Sequence, residues 1–117
     1  MHDRRSKRST DRTEALQFLV ESVADRSGVR ALVLIDDMGR ILAGTGMPEE
    51  VLGLQRTARD VAWGRASSEQ IDVATRGHDV TARSIATHGG MLYFAALGDA
   101  MRGLGDATHA VRRILAA

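Results

Sequence analysis

Two adjacent aspartates, a run of spaced glycines and four histidines are where the residue types of this chain could do chemistry. Asp36 and Asp37 could act as paired carboxylates for acid–base work or for a metal ion. They are followed by Met38-Gly39, however, and aspartates at hairpin turns hydrogen-bond their own backbone. The pair is therefore read as a turn. Gly39 to Gly46 (GRILAGTG) has the glycine spacing of a phosphate loop. It lacks the lysine and the Ser/Thr that must follow, and its glycines lie across a hairpin instead of opening a helix. His2, His78, His88 and His109 show no metal-ligand spacing. His88-Gly89-Gly90 has the look of an oxyanion loop, but no G-x-S-x-G elbow accompanies it. Cysteine is absent, so thiol chemistry has no residue, and the one lysine, Lys7, sits in the basic tail, away from where Schiff-base chemistry would be expected. The expectation is a protein with no catalytic residues, no cofactor and no metal.

At 117 residues the chain is one domain with room for a single packed core. No apolar run approaches the roughly 18 residues of a membrane span. The charged N-terminus is not followed by the apolar core of a signal peptide, so the expected compartment is the cytoplasm. The net charge of +1 hides an asymmetry. Arg4, Arg5, Lys7, Arg8 and Arg12 crowd the first residues, and the rest of the chain is slightly acidic. Residues 1–10 are read as a basic, disordered tail, because they carry almost no apolar side chains to offset ordering entropy. No nucleic-acid partner is expected: the basicity belongs to a tail, and aromatics for base stacking are few.

Hydrophobic spacing lays out the elements. Asp11 and Glu14 form a capping pair, and Leu16, Leu19, Val20 and Val23 make one helical stripe that stops at Gly28. Arg30 to Ile35 is apolar without alternation, the pattern of a strand covered on both faces. A turn at Asp-Met-Gly leads to a second strand, about Arg40 to Thr45. Pro48, Glu49 and Glu50 open a second helix whose main stripe is Val51, Leu54, Ala58, Val61 and Ala62. Leu52 and Trp63 sit roughly 100–120° around from Val51 and widen the apolar face beyond what one sheet contact requires. Ile71 to Arg76 alternates as an edge strand would, with Ile71 and Val73 on one side. A fourth strand, about Val80 to Ala86, and an apolar fifth, Met91 to Leu97, follow. A last helix carries Met101, Leu104, Thr108, Val111 and Leu115. The first and fifth strands are expected side by side at the sheet centre.

This order, together with VRALVLIDDMGRILAGTG and the closing MLYFAALG, resembles the roadblock domain family, of the dynein light-chain roadblock type. The resemblance covers about Thr10 to Ala117, and residues 11–117 are taken as the roadblock-like domain. It implies an α/β fold, an α+β sandwich with a five-stranded antiparallel sheet in order 2-1-5-4-3. The first and third helices would lie on one face and the second on the other. Family members dimerise through the second helix and a sheet edge. Many prokaryotic members partner Ras-like small GTPases, some as activators, and eukaryotic ones serve motor and signalling scaffolds. The resemblance thus implies a non-enzymatic homodimer that regulates a small GTPase or acts as a signalling scaffold. Leu52, Trp63, Ile71 and Val73 are the expected dimer interface, and Arg56, Arg59 and Arg65 the expected partner contacts. The competing reading is a PAS- or profilin-like sensory domain that binds a small metabolite. PAS domains place several short helices between the second and third strands, whereas this chain places one long helix there.

Overall fold

Two strands that are apolar on both faces have to sit where both faces are covered, and they do. The computed structural model describes residues 4–67, 69–71, 79–98 and 104–116. In chain order its elements are α1 (Arg4–Ser27), β1 (Ala31–Asp36), β2 (Ile41–Thr45), α2 (Pro48–Ala62), a short helical segment α3 (69–71), β3 (Val80–Thr87), β4 (Gly90–Leu97) and α4 (Leu104–Ala116). β1 and β4 are the central pair of an antiparallel sheet ordered β2-β1-β4-β3. Leu34 lies opposite Phe94, and Val33 opposite Ala95.

The period of two along these strands divides the core in half. Leu32, Leu34, Phe94 and Ala96 pack with Leu16, Val20 and Val23 of α1 and with Ala107 and Val111 of α4. Ala31, Val33, Ile35, Tyr93, Ala95 and Leu97 pack on the other side with Leu54 and Ala58 of α2. Each central strand therefore feeds two apolar layers, which is why its sequence shows no alternation. The molecule is an α+β sandwich with α1 and α4 on one face and α2 on the other.

The expectation of five strands is overturned: among the described residues the sheet has four. The alternating stretch Ile71 to Arg76 is not an edge strand where it can be followed. Ser67 and Gln70 make a reciprocal cap, Gln70 N–H donating to Ser67 Oγ (3.1 Å) and Ser67 N–H to Gln70 Oε1 (2.9 Å). That satisfies two orphan donors and starts a helix. Ile71 N–H continues it by donating to Ser67 O at 3.1 Å. Residues 72–78, including Val73 and His78, lie outside the described residues, as does Met101. The first helix also starts earlier than its expected cap. It begins at Arg4, so Asp11 lies within α1 and does not cap it.

The β1–β2 turn is held by one carboxylate. Asp36 Oδ1 accepts the backbone N–H groups of Met38 and Arg40, each at 2.9 Å, and Oδ2 accepts Arg40 Nε at 2.8 Å. Gly39, at φ 83°, supplies the left-handed residue that closes the turn. Burial pushes the Asp36 carboxyl up. The Arg40 N–H and guanidinium, the charge of Arg40 and the Met38 N–H pull it down further, leaving it below the ordinary aspartate value. A carboxyl whose folded pKa is depressed stabilises the fold at every pH above its unfolded pKa. That contribution is lost as pH falls through the lower folded value. The amide NMR shifts of Met38 and Arg40 should accordingly titrate with a midpoint more acidic than that of an unstructured aspartate. In Asp36→Asn this transition should vanish.

Candidate interaction face

α2 is built to bury one side and show the other. Pro48 supplies a preset φ in the first turn, and Glu49 and Glu50 favour the positive end of the helix dipole. Gly53, Leu54, Thr57 and Ala58 face the sheet and are buried. The Thr57 hydroxyl escapes an unpaired burial by donating to Gly53 O at 3.0 Å. The helix ends at Trp63, whose N–H donates to Arg59 O at 3.1 Å.

The outward side carries Leu52, Arg56, Arg59 and Trp63. Their spacing of four, three and four residues keeps them on one stripe of a 3.6-residue helix. Leu52 and Trp63 each keep 49% of their surface exposed, at the two ends of that stripe. Leu52 and Trp63 are two separate apolar side chains with the arginines between them, not one contiguous patch.

Trp63 is not free to move. Its Nε1–H donates to Tyr93 Oη at 3.0 Å, and Tyr93 Oη–H donates to Asp37 Oδ1 at 3.1 Å. The Trp63 and Tyr93 rings meet edge to face with centroids 6.4 Å apart. Tyr93 is almost fully buried, so this chain gives its hydroxyl both a donor and an acceptor. Two further side chains of α2 grip the β1–β2 turn. Gln55 Nε2 donates to Gly39 O at 2.8 Å, and Arg59 Nη1 donates to Asp37 O at 2.8 Å. Arg30 and Glu50 tie the start of β1 to the start of α2 at 2.9 Å. The face is therefore tied to the β1–β2 turn and to Tyr93, with the indole held at one end.

The expected site residues are only partly brought together. Leu52, Arg56, Arg59 and Trp63 share the outer stripe of α2. Arg59 is spent on the turn, and Arg65 stands beyond the helix at 3.8 Å from Asp60. Arg56 is exposed and makes no ion pair among the described residues. Ile71 is half-buried in α3 instead of lying on a sheet edge, and Val73 lies outside the described residues. Asp37 does more than turn the chain, since it accepts from Tyr93 and Arg59. Tyr93 and Gln55 were missed altogether. Residues 30 and 56 positions apart meet here, and only the pairing of β4 beside β1 brings them into reach. His88 sits in the β3–β4 turn and His109 on the exposed side of α4. No helix among the described residues is long and apolar enough to cross a membrane.

Comparison with protein-family models, with curated proteins and with solved structures finds no match to this chain.

Proposed function

We propose that this chain is a non-enzymatic, cytoplasmic interaction module of the roadblock type: a homodimer that regulates a Ras-like small GTPase. The observation that carries the reading is the outer stripe of α2, where Leu52 and Trp63 stand half-exposed on either side of two arginines. The resemblance of VRALVLIDDMGRILAGTG to the family signature adds the class of partner. Among the described residues the sheet has four strands against the family's five, so the reading leans on the helices and the first hairpin. Such a regulator acts by binding one conformation of the GTPase switch loops better than another, and its effect is bounded by that difference in affinity.

The test adds the purified protein to GTPases encoded near it and follows phosphate release and nucleotide exchange. One of these rates should change, and the protein alone should hydrolyse nothing. Arg56→Ala should weaken the effect about tenfold, the scale of one charge-assisted contact. Absence of binding to every such GTPase, in both nucleotide states, sinks the GTPase reading.

A further inference from the structure

On the face of the sheet opposite α2, the structure encloses a cleft that the interaction face does not use. It lies between α1, β2, the β3–β4 turn and the end of α4, and has a volume of about 640 Å³. That is within the range of roughly 300–1,000 Å³ typical of small-molecule sites. Leu42, Leu92 and Leu115 give it an apolar surface continuous with the α1–α4 core. Among the described residues, the ionisable ones lining it are Arg12, His88 and Arg112.

Arg112 is held at the wall by its Nε–H, which donates to Ala86 O at 3.3 Å. That bond leaves the two Nη amino groups of the guanidinium for another acceptor. Among the described residues, no carboxylate forms an ion pair with Arg112 or with His88. A purely polar anion would leave the leucines unused, and a neutral apolar molecule would leave the Arg112 guanidinium unanswered. The complement of an apolar floor with one open guanidinium at its rim is an apolar body bearing one anionic head. A guanidinium with open Nη groups matches the planar fork of a carboxylate.

We propose that this cleft binds a free medium-chain fatty acid. The acyl chain lies over Leu42, Leu92 and Leu115, and the carboxylate meets Arg112, with Arg12 and His88 beside it. The site is separate from the α2 face, so it stands or falls independently of GTPase regulation.

Decanoate titrated into the full chain, followed by calorimetry and by the methyl NMR shifts of Leu42, Leu92 and Leu115, tests this. One decanoate should bind per chain, saturably, and decanol should bind at least about tenfold more weakly for want of the charged head. Arg112→Gln should weaken decanoate by about tenfold at an unchanged melting temperature, and Arg112→Lys by less. Should Arg112→Gln fail to fold, Ala86→Trp decides the matter, because it fills the cleft from an exposed position and should abolish binding. No saturable decanoate binding, equal binding of decanol, or binding unaffected by these substitutions would overturn the proposal. So would binding only to phosphatidylglycerol vesicles, since that would make the basic cleft a membrane contact.

Discussion

Gly46→Ala is expected to destabilise the fold by about 2–5 kcal/mol, combining backbone strain with steric overlap. Gly46 ends β2 at φ 126°, a conformation that residues with a Cβ rarely adopt. The larger difficulty is space. A Cβ there would lie 2.6 Å from Ala31 Cβ and 2.9 Å from both Ala31 Cα and Arg30 O. Two of those three atoms are backbone at the start of β1, the central strand, so relief requires moving the sheet and not a flexible side chain. A domain of this size has a total stability of about 5–15 kcal/mol, so much of it would be lost. The melting temperature should fall by roughly 8–20 °C, at about 4 °C for each kcal/mol. Gly64→Ala is the matched control. Gly64 has φ 68°, but nothing lies within 4 Å of an added Cβ, so only the conformational cost of about 1 kcal/mol remains. Thermal unfolding of the two variants separates the terms. Equal losses would show that the approach of β2 to Ala31 is looser than the backbone positions imply.

Much of the sandwich was legible because its signals are local and strong. The unbroken apolar runs of β1 and β4 reflect two covered faces, and that alone placed them together at the centre. Pro48 with its two glutamates marked the start of α2, and Asp36 with Gly39 marked the hairpin. Two elements were misread where local signals compete. At Ile71 the alternation that runs on to Arg76 signals a strand while Ser67-x-x-Gln70 signals a helix start, and the helix wins at residues 69–71. At the N-terminus the Asp11 and Glu14 pair signals a helix start, yet Arg and Lys are good helix formers and let α1 extend back to Arg4 without an apolar stripe. The candidate face was half legible. The angular offset of Leu52 and Trp63 from Val51 could be counted along one helix. The link from Trp63 through Tyr93 to Asp37 could not, because it joins three separate elements and depends on strand order. The cleft beyond Arg112 was illegible for the same reason: its lining comes from α1, β2, β3, β4, the turn between the last two, and α4.

The second large effect expected is the loss of self-association in the double variant Leu52→Glu, Trp63→Arg. In a two-fold dimer each substitution counts twice, and truncating an aromatic anchor of an interface alone costs about 2 kcal/mol or more. A loss of about 4 kcal/mol raises the dissociation constant roughly a thousandfold, at 1.4 kcal/mol per factor of ten. The charges are chosen to suit the isolated helix, so that a change in assembly is not confused with unfolding. Glutamate at position 52 stands one turn before Arg56, the favourable order for an i,i+4 pair. Arginine at position 63 sits at the negative end of the helix dipole. Tyr93 loses the indole donor but keeps Asp37 as acceptor, so its buried hydroxyl is not stranded. Sedimentation should therefore show the parent chain as a dimer at micromolar concentration and the variant as a monomer, with circular dichroism close to the parent's and an unfolding midpoint lowered by the lost dimer linkage. A parent chain that is monomeric at that concentration refutes the homodimer. A variant that unfolds, despite charges that favour its helix, assigns Leu52 and Trp63 to the core, where their half-exposure would have to be covered by the chain itself.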